Sequence, residues 1–145
     1  MTAAEKFRKL LASDDRYHPE AYNFIYEALD WTLKHVVKTG RENQHVSGPE
    51  LLEGIRQYSI DEFGCLAKTV FGRWGITTTA DFGEIVFNLV DYGLMGKQES
   101  DCREDFHDVY DFSDVFELRP LFYYCPDEND WRTSYVERNA VAEES

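Results

Sequence analysis

The alternation of apolar and polar positions predicts a chain built mainly of helices. Thr2 and Glu5 stand at capping-box spacing and open a short helix whose apolar edge is Phe7, Leu10 and Leu11. Residues 14–17 form a polar break. Pro19 suits the first turn of the next helix, where Glu20 complements the dipole. Over 19–38 two apolar stripes run side by side at helical spacing. One is Tyr22, Ile25, Tyr26, Leu29, Leu33 and Val36; the other is Phe24, Ala28, Trp31 and His35. A helix apolar over so much of its circumference is buried on two sides or covered by another chain. A homodimer through helix 19–38 is therefore one expectation. Gly40 ends this helix, and 40–44 reads as a polar loop.

The clearest local signal follows. Ser47 and Glu50 form a capping box, Pro49 sits in the first turn, and Val46 and Leu51 are placed for a hydrophobic staple. The helix over 47–63 is expected to bury Leu51, Leu52, Ile55, Tyr58 and Phe63. Gly64 interrupts the pattern. A helix over 65–74 presents Leu66, Val70 and Trp74 on one line and stops at Gly75. Thr78 and Asp81 have box spacing at the start of a helix over 79–92, whose apolar face is Phe82, Ile85, Val86, Leu89 and Val90. After Gly93, residues 94–95 and 106–112 read as the strands of a hairpin around a polar turn. Residues 113–117 suit a helical turn and 121–125 a final strand. Residues 129–145 are polar and end in AEES, so their last part should fray.

Three helices in series followed by a hairpin is the order of a winged helix. The fold expectation is mainly α (α+β): a winged-helix-like three-helix core with a small β-hairpin, preceded by a long N-terminal helix. It forms one globular domain over 1–128, with the winged-helix-like core at 45–117 and a polar tail at 129–145. The helix over 79–92 would be the recognition helix, and 76–80 the turn before it.

Charge changes what this fold would be expected to do. Residues 1–75 carry 10 Lys+Arg against 11 Asp+Glu, and residues 76–145 carry 5 against 17, so the net −13 lies almost wholly in the second half. Its densest part is 99–117, where Glu99, Asp101, Glu104, Asp105, Asp108, Asp111, Asp114 and Glu117 stand against Arg103 alone. A recognition helix needs cations for phosphate and amides or cations for bases. Residues 81–92 offer Asp81, Glu84, Asp91 and Asn88 with no Lys or Arg, and the wing adds only Lys97 and Arg103. Such a field repels phosphate, so nucleic acid is not the expected partner.

The run Asp105, Asp108, Asp111, Asp114, Glu117 recurs every third residue with aromatic and aliphatic residues between. One reading is a divalent-metal site using Asp105, His107, Asp108, Asp111 and Asp114, although no EF-hand spacing is present. The other is a solvated acidic face over an apolar underside, which meets a cationic partner. That face would comprise Asp101, Glu104, Asp105, Asp108, Asp111, Asp114 and Glu117.

His18 is placed to help cap a helix, and His35 reads as a core histidine. Cys65 reads as a small buried residue, and Glu27 with Asp30 as a candidate buried acid pair. His45 belongs to no metal-ligand pair. Three cysteines without CxxC spacing argue against a disulfide framework and a zinc site, and point to a reducing cytoplasm. No transmembrane run, secretory signal, P-loop, dinucleotide fingerprint or nucleophile elbow is legible, and no cofactor is expected.

The segments EALDW (27–31), HVSGPELLEGIR (45–56), WGI (74–76), DFGEIVFNLVDYGLMGKQESDCREDF (81–106) and YDF (110–112) resemble a family of uncharacterised conserved proteins from planctomycete and verrucomicrobial bacteria. The resemblance covers about residues 4–118. It implies a soluble bacterial, cytoplasmic protein and brings no activity, cofactor or catalytic residue.

The expected function is a non-enzymatic acidic module that binds a basic protein partner. The alternatives are a divalent-metal-dependent enzyme using the 99–117 carboxylates, and a winged-helix protein that binds or mimics DNA.

Overall fold

The structure, a computed structural model, describes residues 1–37, 46–96 and 102–137. It is mostly helical with one two-stranded antiparallel hairpin. The elements are α1 (Ala3–Ser13), α2 (Pro19–His35), α3 (Gly48–Phe63), α4 (Ala67–Trp74), α5 (Thr79–Asp91), α6 (Phe112–Phe116), β1 (Leu118–Cys125) and β2 (Asp130–Glu137), with 3-10 turns at Gly64–Leu66 and Arg103–Phe106. Gly40, His45, Lys97, Glu99, Asp101 and residues 138–145 lie outside the described residues.

The caps read from sequence form as hydrogen bonds. Thr2 Oγ1 accepts from Glu5 N at 3.1 Å, and Ser47 and Glu50 complete both halves of their box. His18 Nδ1 accepts from Glu20 N at 3.0 Å, capping α2. Gly64 and Gly75 adopt positive φ where their helices stop, a conformation that favours glycine.

Helix α2 is the centre of the core. Tyr22, Phe24, Ile25 and Ala28 are buried against α3, α4 and α5. The N-terminal parts of both stripes therefore face the chain's own helices, while Tyr26 and His35 are exposed. At the α2–α3 crossing Gly54 meets Thr32 so closely that a Cβ there would fall 1.7 Å from Thr32 Oγ1. Thr32 turns its hydroxyl back onto Ala28 O at 2.7 Å, satisfying the group inside the core.

Several expectations are corrected. In α4 the buried line is Ala67 and Phe71, with Trp74 half-buried, while Leu66 is exposed. The inward face is thus set one position later, because the chain turns through a 3-10 segment before the helix begins. His35 is exposed and stacks on Trp31 at 3.9 Å. Cys65 is exposed. Glu27 and Asp30 are exposed and separately engaged, Glu27 accepting from Tyr58 at 2.7 Å and Asp30 pairing with Lys34 at 2.8 Å.

The largest correction concerns the hairpin. Residues 94–95 and 106–112 are not strands. They are turns, a 3-10 segment and the start of α6. The hairpin lies later, where β1 pairs β2 from Leu118↔Glu137 to Cys125↔Asp130, and β2 occupies the first half of the expected polar tail.

Candidate interaction surface

The acidic segment is held to the body by its apolar residues. Phe106 ends the 3-10 turn and is buried in a slot between α3 and α5. The slot exists because glycines line it. A Cβ on Gly83 would fall 2.8 Å from Phe106 Cβ, and one on Gly48 would fall 3.2 Å from the ring. After it, Val109 N donates to Thr79 Oγ1 at 3.2 Å and the Tyr110 hydroxyl donates to Leu52 O at 2.9 Å. Burial pushes the Tyr110 phenol well above its ordinary range, so it stays protonated as that donor. Phe112 and Phe116 then bury their rings on the core.

These anchors leave the carboxylates outside. Glu104, Asp105, Asp108, Asp111, Asp114 and Glu117 are all exposed, as is His107. Asp111 caps α6 by accepting from Ser113 N at 2.8 Å. Glu117 pairs with Lys68 at 2.9 Å, and the same ammonium reaches Ser113 Oγ at 2.9 Å. Asp108 takes a left-handed backbone conformation with φ 49°, which aspartate tolerates better than most residues. A groove of about 350 Å³ separates Asp108 and Asp111 from Thr78 at the start of α5.

Among the described residues no three or more His, Cys, Asp and Glu side chains converge as a metal cage. Asp105, His107, Asp108, Asp111 and Asp114 thus share a segment without sharing a centre. The turns that bury Phe106, Phe112 and Phe116 spread the carboxylates along the surface.

Arg103 does not neutralise this face. It reaches away to α5, 2.8 Å from Glu84 and 3.7 Å from Asp91, with its guanidinium 5.2 Å above the centre of the Phe87 ring. The polar ridge of α5 is engaged along its length. Asp81 accepts from the Tyr17 hydroxyl at 2.6 Å and from Thr77 N and Thr78 N at 2.9 and 3.2 Å. Burial opposes ionisation of Asp81, but those donors outweigh it and hold the carboxyl below its usual range. Burial and the Asp81 hydrogen bond push the Tyr17 phenol far up. Glu84 also faces Arg16 at 3.5 Å, and Asn88 donates to Asp14 at 2.9 Å and to Tyr22 at 3.2 Å. The surface that a recognition helix would offer to a groove is therefore occupied by this chain's own side chains.

This network was not legible in sequence, since Asp14 and Asn88 are 74 positions apart. The hairpin was partly legible. Trp131, Thr133 and Tyr135 alternate after a turn-rich Pro126, Asp127, Glu128, Asn129 stretch, and Asn129 takes the left-handed conformation of that turn with φ 51°.

No family model, curated protein or solved structure matches this chain. No helix among the described residues is long and apolar enough to cross a membrane.

Proposed function

We propose that this chain is a non-enzymatic module that binds a basic protein partner in the cytoplasm, on a winged-helix-like scaffold of α3, α4 and α5. One observation carries the reading. The carboxylates of Glu104, Asp105, Asp108, Asp111 and Asp114 are exposed over buried Phe106, Phe112 and Phe116, while Arg103 is turned to α5 and Lys68 pairs with Glu117 at the end of the face. A rigid anionic surface of this kind attracts cationic partners over distance and sets their on-rate more than their final affinity. The carboxylates among the described residues do not converge, so they lend no support to the divalent-metal alternative. Kinship with the planctomycete and verrucomicrobial proteins is part of this proposal and adds no activity.

The test is capture from a lysate of the source cells at low and high salt, with the bound proteins identified. Basic proteins should be held at low salt and released at high salt. Asp108→Asn, Asp111→Asn and Asp114→Asn together should abolish capture while leaving the fold intact. Capture that survives the triple substitution would sink the reading.

A further inference from the structure

The hairpin offers a second surface. Of the ten large apolar side chains exposed among the described residues, six lie on β1 and β2, so this element presents most of the exposed apolar bulk. The register sets Pro120 opposite Tyr135, Phe122 opposite Thr133 and Tyr124 opposite Trp131, and these six share one face. At the root that face rests on the body. Tyr135 packs over Gly64, where a Cβ would come within 2.5 Å of its ring. Beyond the root Phe122 is 65% exposed, Trp131 64% and Tyr124 44%, with the Tyr124 and Trp131 rings edge-to-face at 5.5 Å.

Among the described residues of the hairpin, no cation stands on this face. The two on the hairpin, Arg119 and Arg132, belong to the opposite face with Tyr123. Carboxylates lie nearby: Asp127 is exposed at the tip, where Glu128 pairs with Arg132, and Asp114 is exposed on α6, which touches β2. We propose that the face bearing Phe122, Tyr124 and Trp131 receives an arginine-rich extended segment of the partner. This rests on the basic partner proposed above, and adds a place and a chemistry.

Guanidinium is planar and weakly hydrated, so it stacks on aromatic faces where ammonium holds its water. The field of a chain with net charge −13 favours cations there. Other occupants fit less well. A second copy brings a further −13, which opposes its approach. Single-stranded nucleic acid also stacks on aromatics but needs a cationic groove for its backbone. A membrane surface favours Lys and Arg beside the aromatic residues.

The test titrates acetylated nona-arginine and nona-lysine into the full chain by calorimetry at low and high salt. The wild-type chain should bind the arginine peptide about fivefold more tightly, the ratio expected of one exposed cation–π contact. Phe122→Ala with Trp131→Ala should erase that preference and keep the salt dependence. Asp108→Asn, Asp111→Asn and Asp114→Asn should weaken the salt dependence and keep the preference. Thr133→Arg sets a guanidinium opposite Phe122 and should erase the preference with every ring retained. A preference unchanged in both hairpin variants overturns this inference, and the proposed function survives if the acidic triple variant still weakens binding. Failure of the wild-type chain to bind either peptide overturns both. A dimer in sedimentation that Phe122→Ala with Trp131→Ala dissociates assigns the face to a second copy and overturns the inference.

Discussion

In the body, Phe71 is fully buried and its ring meets those of Phe24, Phe63, Trp74, Phe82, Phe112 and Phe116 at centroid distances of 5.2 to 6.3 Å. On the hairpin, Phe122 is 65% exposed. The carboxylates divide in the same way. Asp81 and Glu84 are engaged inside the fold, whereas Asp105 and Asp114 face solvent. The difference follows from architecture. Helices packed around α2 give a ring neighbours on every side, while beyond its root the two-stranded hairpin has no layer to cover its faces and is marginal by itself. Composition alone therefore does not say whether an aromatic residue is buried in the fold or exposed on its surface.

The contrast is broken most directly at Phe71. Phe71→Ala removes the ring that joins α2, α4, α5 and α6, and should cost about 3–5 kcal/mol. For a chain of this size that lowers the melting temperature by about 10 °C. Phe122→Ala should change stability by less than about 0.5 kcal/mol, as for other exposed substitutions. Urea denaturation of the two variants side by side checks both. Equal losses would mean that the hairpin ring is packed in solution.

A smaller effect sharpens the boundary between the two regions. Gly83→Ala places a methyl against Phe106, the residue that fastens the acidic segment to α5. The strain should cost about 1–3 kcal/mol. Amide exchange should speed up in 102–117 more than in α2, because only the docking of that segment is disturbed. Uniform acceleration through the body would show that the segment and the core open together.

The body was more legible in sequence than the periphery, for physical reasons. Helix starts are marked by local chemistry, so Thr2, His18, Ser47 and the glycines that end α3 and α4 located elements well. The apolar face of α5 was read largely correctly because a regular helix keeps its period, although Phe87 was missed. Phe71 was missed because the 3-10 turn before α4 shifts the phase, and no local signal records that shift. The 106–112 segment reads as a strand because its apolar residues nearly alternate. In the fold that spacing comes from irregular turns pinned by Gly83 and Thr79, which are distant in sequence. The acidic face was legible as a surface, since spaced carboxylates are costly to bury. The pairing of Arg103 with α5 depends on tertiary placement and could not be read.

The smallest expected effect concerns a carboxylate on the body side of the comparison. Asp14 accepts from Arg16 at 2.7 to 3.1 Å and from Asn88 at 2.9 Å, and its side chain is 17% exposed. The Arg16 guanidinium, with help from Asn88, holds the Asp14 carboxyl far below its ordinary value near 3.8. Protons then bind the unfolded chain first as the solution is acidified. The stabilisation is fully present above about pH 4 and is lost as pH falls toward the folded-state value. Asp14→Asn should cost about 1 kcal/mol at neutral pH, a modest figure because Arg16 is half exposed and solvent screens the pair. The gap between wild type and variant should close as pH is lowered from about 4, measured by denaturant melts across that range. At neutral pH Asp114→Asn should leave stability within about 0.5 kcal/mol of wild type. A loss from Asp114→Asn equal to that from Asp14→Asn would mean that the acidic face is held by internal partners too, and the distinction between the two sets of carboxylates would fail.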